Sequence, residues 1–166
     1  MTPKTATAVE KKAVPASMVT DVLEVTREVF DTMVFQEAKA GTPRPPVDGE
    51  PRADVVATVA LTGPSNAVIA LYGSIDVAKS IAASMLGMDA ADIKDEFADA
   101  IGEMANMIGG TLRNRMIEYG GNWAISVPTV TVGQRIFTHY PEDVGRVVCP
   151  FEVTGHELYV ELVLRA

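Results

Sequence analysis

The stretch Phe97-Ala98-Asp99-Ala100-Ile101-Gly102-Glu103-Met104-Ala105-Asn106-Met107-Ile108-Gly109-Gly110-Thr111-Leu112 decides how this chain is read. At about 100° per residue, with Asp99 set at zero, Glu103 falls at about 40°, Asn106 at about −20° and Gly110 at about 20°. These four share a stripe about 60° wide. Phe97, Ile101, Met104, Ile108 and Leu112 fall on the opposite side, between about 140° and 220°. The pattern predicts a helix that buries its apolar face and offers an acid, an acid and an amide to solvent or to a partner. Gly102 and Gly109 border the stripe at about −60° and −80°. Each glycine in an exposed helix interior costs ~1 kcal/mol against alanine. Three of them in nine residues need a compensating reason, and close approach of another backbone along that side supplies one. If the approaching backbone is a partner's, Asp99, Gly102, Gly109 and Gly110 belong to a partner-binding surface.

The helix is expected from about Ala91 to Tyr119, ended by Gly120-Gly121. A shorter helix from about Ile75 to Leu86, ended by Gly87, precedes it. Before that, Asp54–Leu61 and Ala67–Tyr72 read as a hairpin across Gly63-Pro64-Ser65-Asn66. After the long helix the chain turns to strands. Trp123–Val132 alternates around Pro128, and Arg146–Val153 and Glu157–Leu164 pair across Thr154-Gly155-His156. At the other end, Val22, Leu23, Val29, Phe30, Met33 and Val34 recur at helical spacing, with Ser17 or Thr20 as cap and Gly41 as stop near Ala40. The proline-rich segment from Thr42 to Gly49 can be neither helix nor central strand, because proline lacks the N–H that both need. Hairpins imply an antiparallel or mixed sheet, so the fold class is α+β, long helices packed on such a sheet. Residues 1–16 are expected to be a disordered tail and 17–166 one domain.

The net charge is −8, and the first 17 residues sum to +2, so the remainder carries −10. An acidic body argues against nucleic acid, whose binding rests on Lys and Arg at phosphates, and against an anionic membrane surface. The lone Cys149 excludes disulfides and thiolate clusters. Within Val147-Val148-Cys149 it reads as a small buried apolar group. No apolar run reaches the length of a membrane span, and no signal-peptide core is present, so a cytoplasmic location is expected.

On geometry alone the stripe reads first as a solvated face, since Asp, Glu and Asn are common on the polar side of any amphipathic helix. A metal site is disfavoured. The stripe has no histidine, and His139 and His156 both lie in the β third. A small-molecule site lacks a glycine-rich phosphate loop or an aromatic cage.

Asp99-x-x-x-Glu103-x-x-Asn106 on one long helix, followed by Pro128 entering a strand, resembles the motif of the CheC/CheX/FliY family of chemotaxis phosphatases. The leading helix with Phe30-Asp31-Thr32-Met33 is similar too, and the resemblance covers roughly residues 18–165. Twenty-one residues separate Asn106 from Pro128, one fewer than the resemblance implies. CheC-like members carry two such motifs, whereas the first helix here has no Glu-x-x-Asn, so a CheX-like member with one site per chain fits better.

The resemblance implies an enzyme that hydrolyses the aspartyl phosphate of a CheY-like receiver domain. Glu103 and Asn106 would be its catalytic pair. Glu103 would dock a cationic residue of the receiver, and Asn106 would position the attacking water. The receiver would supply Mg²⁺, so this chain needs no cofactor and no metal of its own. A homodimer is implied by analogy. The alternative is a non-catalytic module that docks a receiver or a motor component with the same helix.

Overall fold

The computed structural model describes residues 13–165. Most of the expected N-terminal tail lies outside them. Three α-helices, α1 (Ala16–Val29), α2 (Ile75–Leu86) and α3 (Glu96–Glu118), pack on a seven-stranded antiparallel sheet. Its strands are β1 (Ala38–Ala40), β2 (Ala53–Thr62), β3 (Asn66–Gly73), β4 (Ala124–Ile125), β5 (Thr129–Ile136), β6 (Gly145–Val153) and β7 (His156–Arg165). The order is β1-β6-β7-β3-β2-β4, with β5 sharing the outer edge of β2. This is the α+β architecture expected from the hairpins.

Alternation sorts the strand residues. Val55, Ala57, Val59 and Leu61 of β2, Ile69 and Leu71 of β3, and Leu158, Val160 and Leu162 of β7 join Ile101, Met104, Ile108 and Leu112 of α3 in the main core. Cys149 is fully buried there, and burial pushes its thiol up to about 12, which removes it from thiolate chemistry at neutral pH. Phe97, expected in the core, is only partly buried against it. The β2–β3 and β6–β7 hairpins form as expected. The second turns through Thr154 and Gly155, both at positive φ, as a tight two-residue hairpin demands.

Four boundaries differ from the sequence reading. The first helix has Pro15, not Ser17 or Thr20, at its N-cap. It ends at a π turn over Phe30–Val34 rather than near Ala40. Phe35 adopts the left-handed conformation, and Gln36 reaches across to Ser80 and Ser84 of α2. Residues 38–40 are then free to satisfy the open edge of β6, so Gly41 stops nothing.

The long helix starts at Glu96 instead of Ala91. Asp89 caps a short 3₁₀ turn at Ala90–Asp92, and Ile93, extended, plugs into the gap between α2 and α3 beside Ala82, Ala83 and Ala100. The segment Trp123–Val132 is two strands, not one. Ser126-Val127-Pro128 interrupts it, and the Ser126 hydroxyl accepts from the Ala60 N–H where a ladder bond would run. Finally, the polar face of α3 is narrower than expected on the glycine side, as described below.

Two connections cross the sheet on the face away from the helices. One is 41–52, which leaves β1, bridges Val148 through Arg44 and delivers the chain to β2, on the far side of β6, β7 and β3. The other is 137–144, which returns from β5 to β6. Beneath them sits a buried polar cluster. The Glu161 carboxylate, fully inaccessible, pairs with Arg146 at 2.6 Å and accepts from the Tyr72 hydroxyl at 3.1 Å. Arg146 donates to the Glu50 carbonyl and lies over the Tyr140 ring, so it touches both crossings. Burial raises the Glu161 carboxyl above its ordinary value, with Arg146 and Tyr72 pulling the other way. The same surroundings push the Tyr140 hydroxyl up to about 12.

A carboxyl that holds its proton more tightly when folded contributes stability that is complete below its unfolded pKa and is lost as pH rises through its folded pKa. The unfolding free energy of wild type minus that of Glu161→Gln should therefore fall as pH rises from about 4, then level off. A difference independent of pH in urea titrations would show that the folded carboxyl is unshifted.

The glycines of α3 are not equivalent. A Cβ on Gly109 would stand 2.5 Å from Val59 Cγ2, whereas one on Gly110 would meet nothing within 4 Å. Gly109→Ala should destabilise the fold by about 1–3 kcal/mol through overpacking. Gly110→Ala should instead stabilise it, by up to about 1 kcal/mol. Equal effects in urea unfolding would show that α3 can lift off β2 at little cost.

Candidate functional site

The helix α3 lies across the sheet with its stripe outward. On one flank it meets α2 and the plug at Ile93. On the other it meets the chain that runs from β4 into β5. A Cβ on Gly109 would be 3.2 Å from Ile125 Cδ1, and one on Gly102 would be 3.1 Å from Val130 Cγ2 and 3.9 Å from the Pro128 ring. This segment therefore runs antiparallel to α3, from the level of Gly109 back to the level of Gly102. The approach that the glycines permit is made by the protein's own sheet edge.

Gly102 and Gly109 are buried, and their assignment to a partner-binding surface is corrected accordingly. Gly110 remains open on the outside of the helix, as does Asp99. Glu103 is exposed and Asn106 half-buried. Pro128 itself is exposed, at the mouth of β5 beside Gly102.

Three features hold the stripe in place. The opposite face of α3 is anchored by Ile101, Met104, Ile108, Leu112 and Met116. The glycine contacts fix its distance from β2. At its C-terminal end, Arg115 reaches Asp21 at 3.0 Å, Glu24 at 2.5 Å and Glu28 at 3.8 Å on α1, and the Tyr119 hydroxyl donates to Asp21 at 2.8 Å.

Glu103 and Asn106, by contrast, make no side-chain hydrogen bond or ion pair to any described residue. An exposed carboxylate and a carboxamide stand free, one turn apart, on a helix that cannot shift easily. The amide can accept through its C=O and donate through its N–H₂ at once, and the carboxylate can take a cation.

A cavity of about 500 Å³ lined by Arg52, Tyr72, Ser74, Arg135 and His156 among others does not include the stripe. Among the described residues no three of His, Cys, Asp and Glu come together to hold a metal ion. No described helix is long and apolar enough to cross a membrane.

Two neighbours of the stripe escaped the sequence reading. Arg113 and Ile117, at about −40° and 0° on the same projection, continue it toward the C-terminus. Extending the angles by two turns would have found them. Val127, among the most exposed large apolar residues at 81 %, lies in the segment running beside Asn106. That placement depends on where the sheet edge meets the helix, so no sequence spacing predicts it.

A search of curated proteins finds no match. Solved structures match closely. The chemotaxis protein CheX from Desulfovibrio desulfuricans is 27% identical over 90% of this chain and 99% of its own, with a TM-score of 0.80. Two others show the shared fold at lower identity. A CheC-like superfamily protein from Shewanella sp. PV-4 is 23% identical over 92% of this chain and all of its own, with a TM-score of 0.83. The CheX–CheY–BeF3–Mg²⁺ complex from Borrelia burgdorferi contains a chain 20% identical over 90% of this one and 98% of its own, with a TM-score of 0.77. The family model described as chemotaxis phosphatase CheX matches residues 55–152, which run from the β2–β3 hairpin through α3 and its stripe into β6. The chain belongs to this family of chemotaxis phosphatases, the CheX family.

Proposed function

We propose that this protein dephosphorylates the aspartyl phosphate of a CheY-like receiver domain in the cytoplasm, with Glu103 docking the receiver and Asn106 positioning the water. The observation that carries this reading is the pair of unsatisfied side chains on the rigid outer stripe of α3. The Borrelia burgdorferi relative, seen as CheX with CheY, BeF3 and Mg²⁺, supports the choice of partner and a metal held on the receiver's side.

An aspartyl phosphate is an activated acyl phosphate, and the receiver's Mg²⁺ would neutralise its phosphoryl oxygens. What remains is placement of a water in line with the scissile P–O bond. The Asn106 C=O accepts from that water and its N–H₂ donates to an oxygen nearby. The water oxygen forms the new P–O bond as the bond to the receiver's aspartate breaks. The aspartate leaves as carboxylate and the phosphoryl group as inorganic phosphate, with the surplus proton released to solvent. Glu103, one turn away, takes a receiver cation and fixes the register, and Asp99 supports the rim with Gly110 alongside. A homodimer is part of this reading on the family likeness. Sedimentation at high micromolar concentration should show about twice the 17.7 kDa chain mass, and a monomer there would remove the dimer from it.

Asn106→Ala should lower turnover of an acetyl-phosphate-labelled receiver by ~10²-fold, the order expected when one positioned group is lost. Its circular dichroism should be unchanged, because the Asn106 side chain makes no hydrogen bond to any described residue and Asn→Ala within a helix is neutral or slightly stabilising on propensity. Asn106→Asp should fail as well, since a carboxylate lacks the donor and repels the phosphoryl oxygens. Glu103→Lys should act on affinity, raising KM more than it lowers kcat. Folded Asn106 variants that still hydrolyse at the wild-type rate would replace this reading with a non-catalytic receiver- or motor-binding module.

A further inference from the structure

The stripe does not end at Gly110. Arg113 is seven residues beyond Asn106, so it projects from the same side of α3 about 10 Å further along. It is half-buried. Its Nη2 donates to the neighbouring Asn114 side chain at 3.1 Å, and its Nε is buried without a partner among the described residues. No described carboxylate pairs with it, in a chain that has 22 of them. Arg115, two residues on, shows what this protein does with a structural arginine, since it collects three acids from α1.

The helix dipole does not explain Arg113, because that field fades within the last turn and Arg113 stands five residues before the final residue, Glu118. An arginine kept half-desolvated and short of acceptors is matched by a carboxylate arriving from outside, which its planar fork can take bidentately. Along the outer stripe the order is then Asp99, Glu103, Asn106, Gly110, Arg113: acidic at one end, cationic at the other, with the free amide between them.

We propose that Arg113 is the second docking contact of the receiver, accepting an acidic side chain on its surface, so that Glu103 and Arg113 bracket Asn106 and set both the register and the direction of the bound partner. This rests on the reading of Asn106 and Glu103 above. It goes further by specifying the partner's surface as a cation and a carboxylate about 15 Å apart, the rise over the ten residues between Glu103 and Arg113. Two opposite charges at fixed separation discriminate against a receiver approaching in the reverse sense, which would place like charges together.

The test is steady-state hydrolysis of a phosphorylated CheY-like receiver by wild type, Arg113→Glu, Arg113→Gln, Arg113→Lys and Asn106→Ala, each checked for fold by circular dichroism. Arg113→Glu should raise KM about tenfold or more with kcat within about twofold of wild type, the behaviour of a lost charge pair at an interface. Arg113→Gln should raise KM less and flatten its dependence on salt, and Arg113→Lys should keep much of the affinity. If the Glu variant does not fold, the Gln variant decides the matter. An unchanged KM in the folded Gln or Glu variant overturns the proposal, and so does a fall in kcat at constant KM. Asn106→Ala separates the two levels of the argument. If it is inactive while the Arg113 variants behave as wild type, only the second contact is wrong. If it is fully active, the site reading itself fails.

Discussion

The distance between α3 and the edge of the sheet governs everything that the outer stripe can do. At Gly109 that distance leaves no room for a methyl group against Val59, and at Gly102 only a tight one against Val130. Glycines in the middle of a helix are costly in backbone entropy, and here the cost is offset by contact that no larger residue would allow. The close approach buries Ile108, Met104 and Leu112 completely. It also brings the segment from β4 to β5 alongside the helix, with Ile125 at the level of Gly109 and Pro128 and Val130 at the level of Gly102. A helix held further out would leave its polar stripe on a looser support.

The two faces of the sheet solve different problems. The helix side is apolar and needs only shape complementarity. The other side must accept two long crossings that carry many backbone polar groups, and a purely apolar floor would leave several of them without partners. The Arg146–Glu161–Tyr72 cluster provides that floor with charge. Arg146 directs Nε and Nη2 at the Glu161 carboxylate, donates from Nη2 to the Glu50 carbonyl of one crossing as well, and presents its plane to Tyr140 of the other. A buried ion pair is weak support for stability by itself, because desolvation takes back much of the Coulomb gain. Its use here is positional: it fixes where the crossings lie.

The periodic parts of this architecture were legible in the sequence, and the parts set by contact were not. The angles of Asp99, Glu103, Asn106 and Gly110 follow from helix geometry, and the two hairpins follow from turn residues between β-branched runs. Both are local. The end of the first helix was misplaced because Phe35, not a glycine, takes the left-handed position, and it does so while Gln36 is held by α2 and the next residues by β6. The start of α3 was misplaced because Ile93 serves as a plug rather than as the first turn. The partner-facing role given to Gly102 and Gly109 came from a sound premise, that something approaches closely, with the wrong neighbour. Sequence can state that a helix face must be close-packed, but not which strand packs there. The position of Arg113 on the same side of α3 follows from the same angles, beyond the end of the motif.

If the stripe is the site of the proposed reaction, it differs from a conventional active site in being open. Its amide and carboxylate project from the outside of a helix that the β4–β5 segment borders on one flank. Such a surface has little power to exclude water or to concentrate a small substrate, so it is suited to a reaction in which the partner brings most of the machinery. Rigidity is then what this chain must supply, since a group that positions a water is effective only within a narrow range of angle and distance. The apolar anchoring of α3, the glycine contacts and the Arg115 network with α1 all supply it, and each acts on the helix backbone rather than on Asn106. That leaves the amide with both of its hydrogen-bonding functions unspent. On the proposed reading, this side chain gains its partners only when the receiver docks, and hydrolysis is confined to that moment.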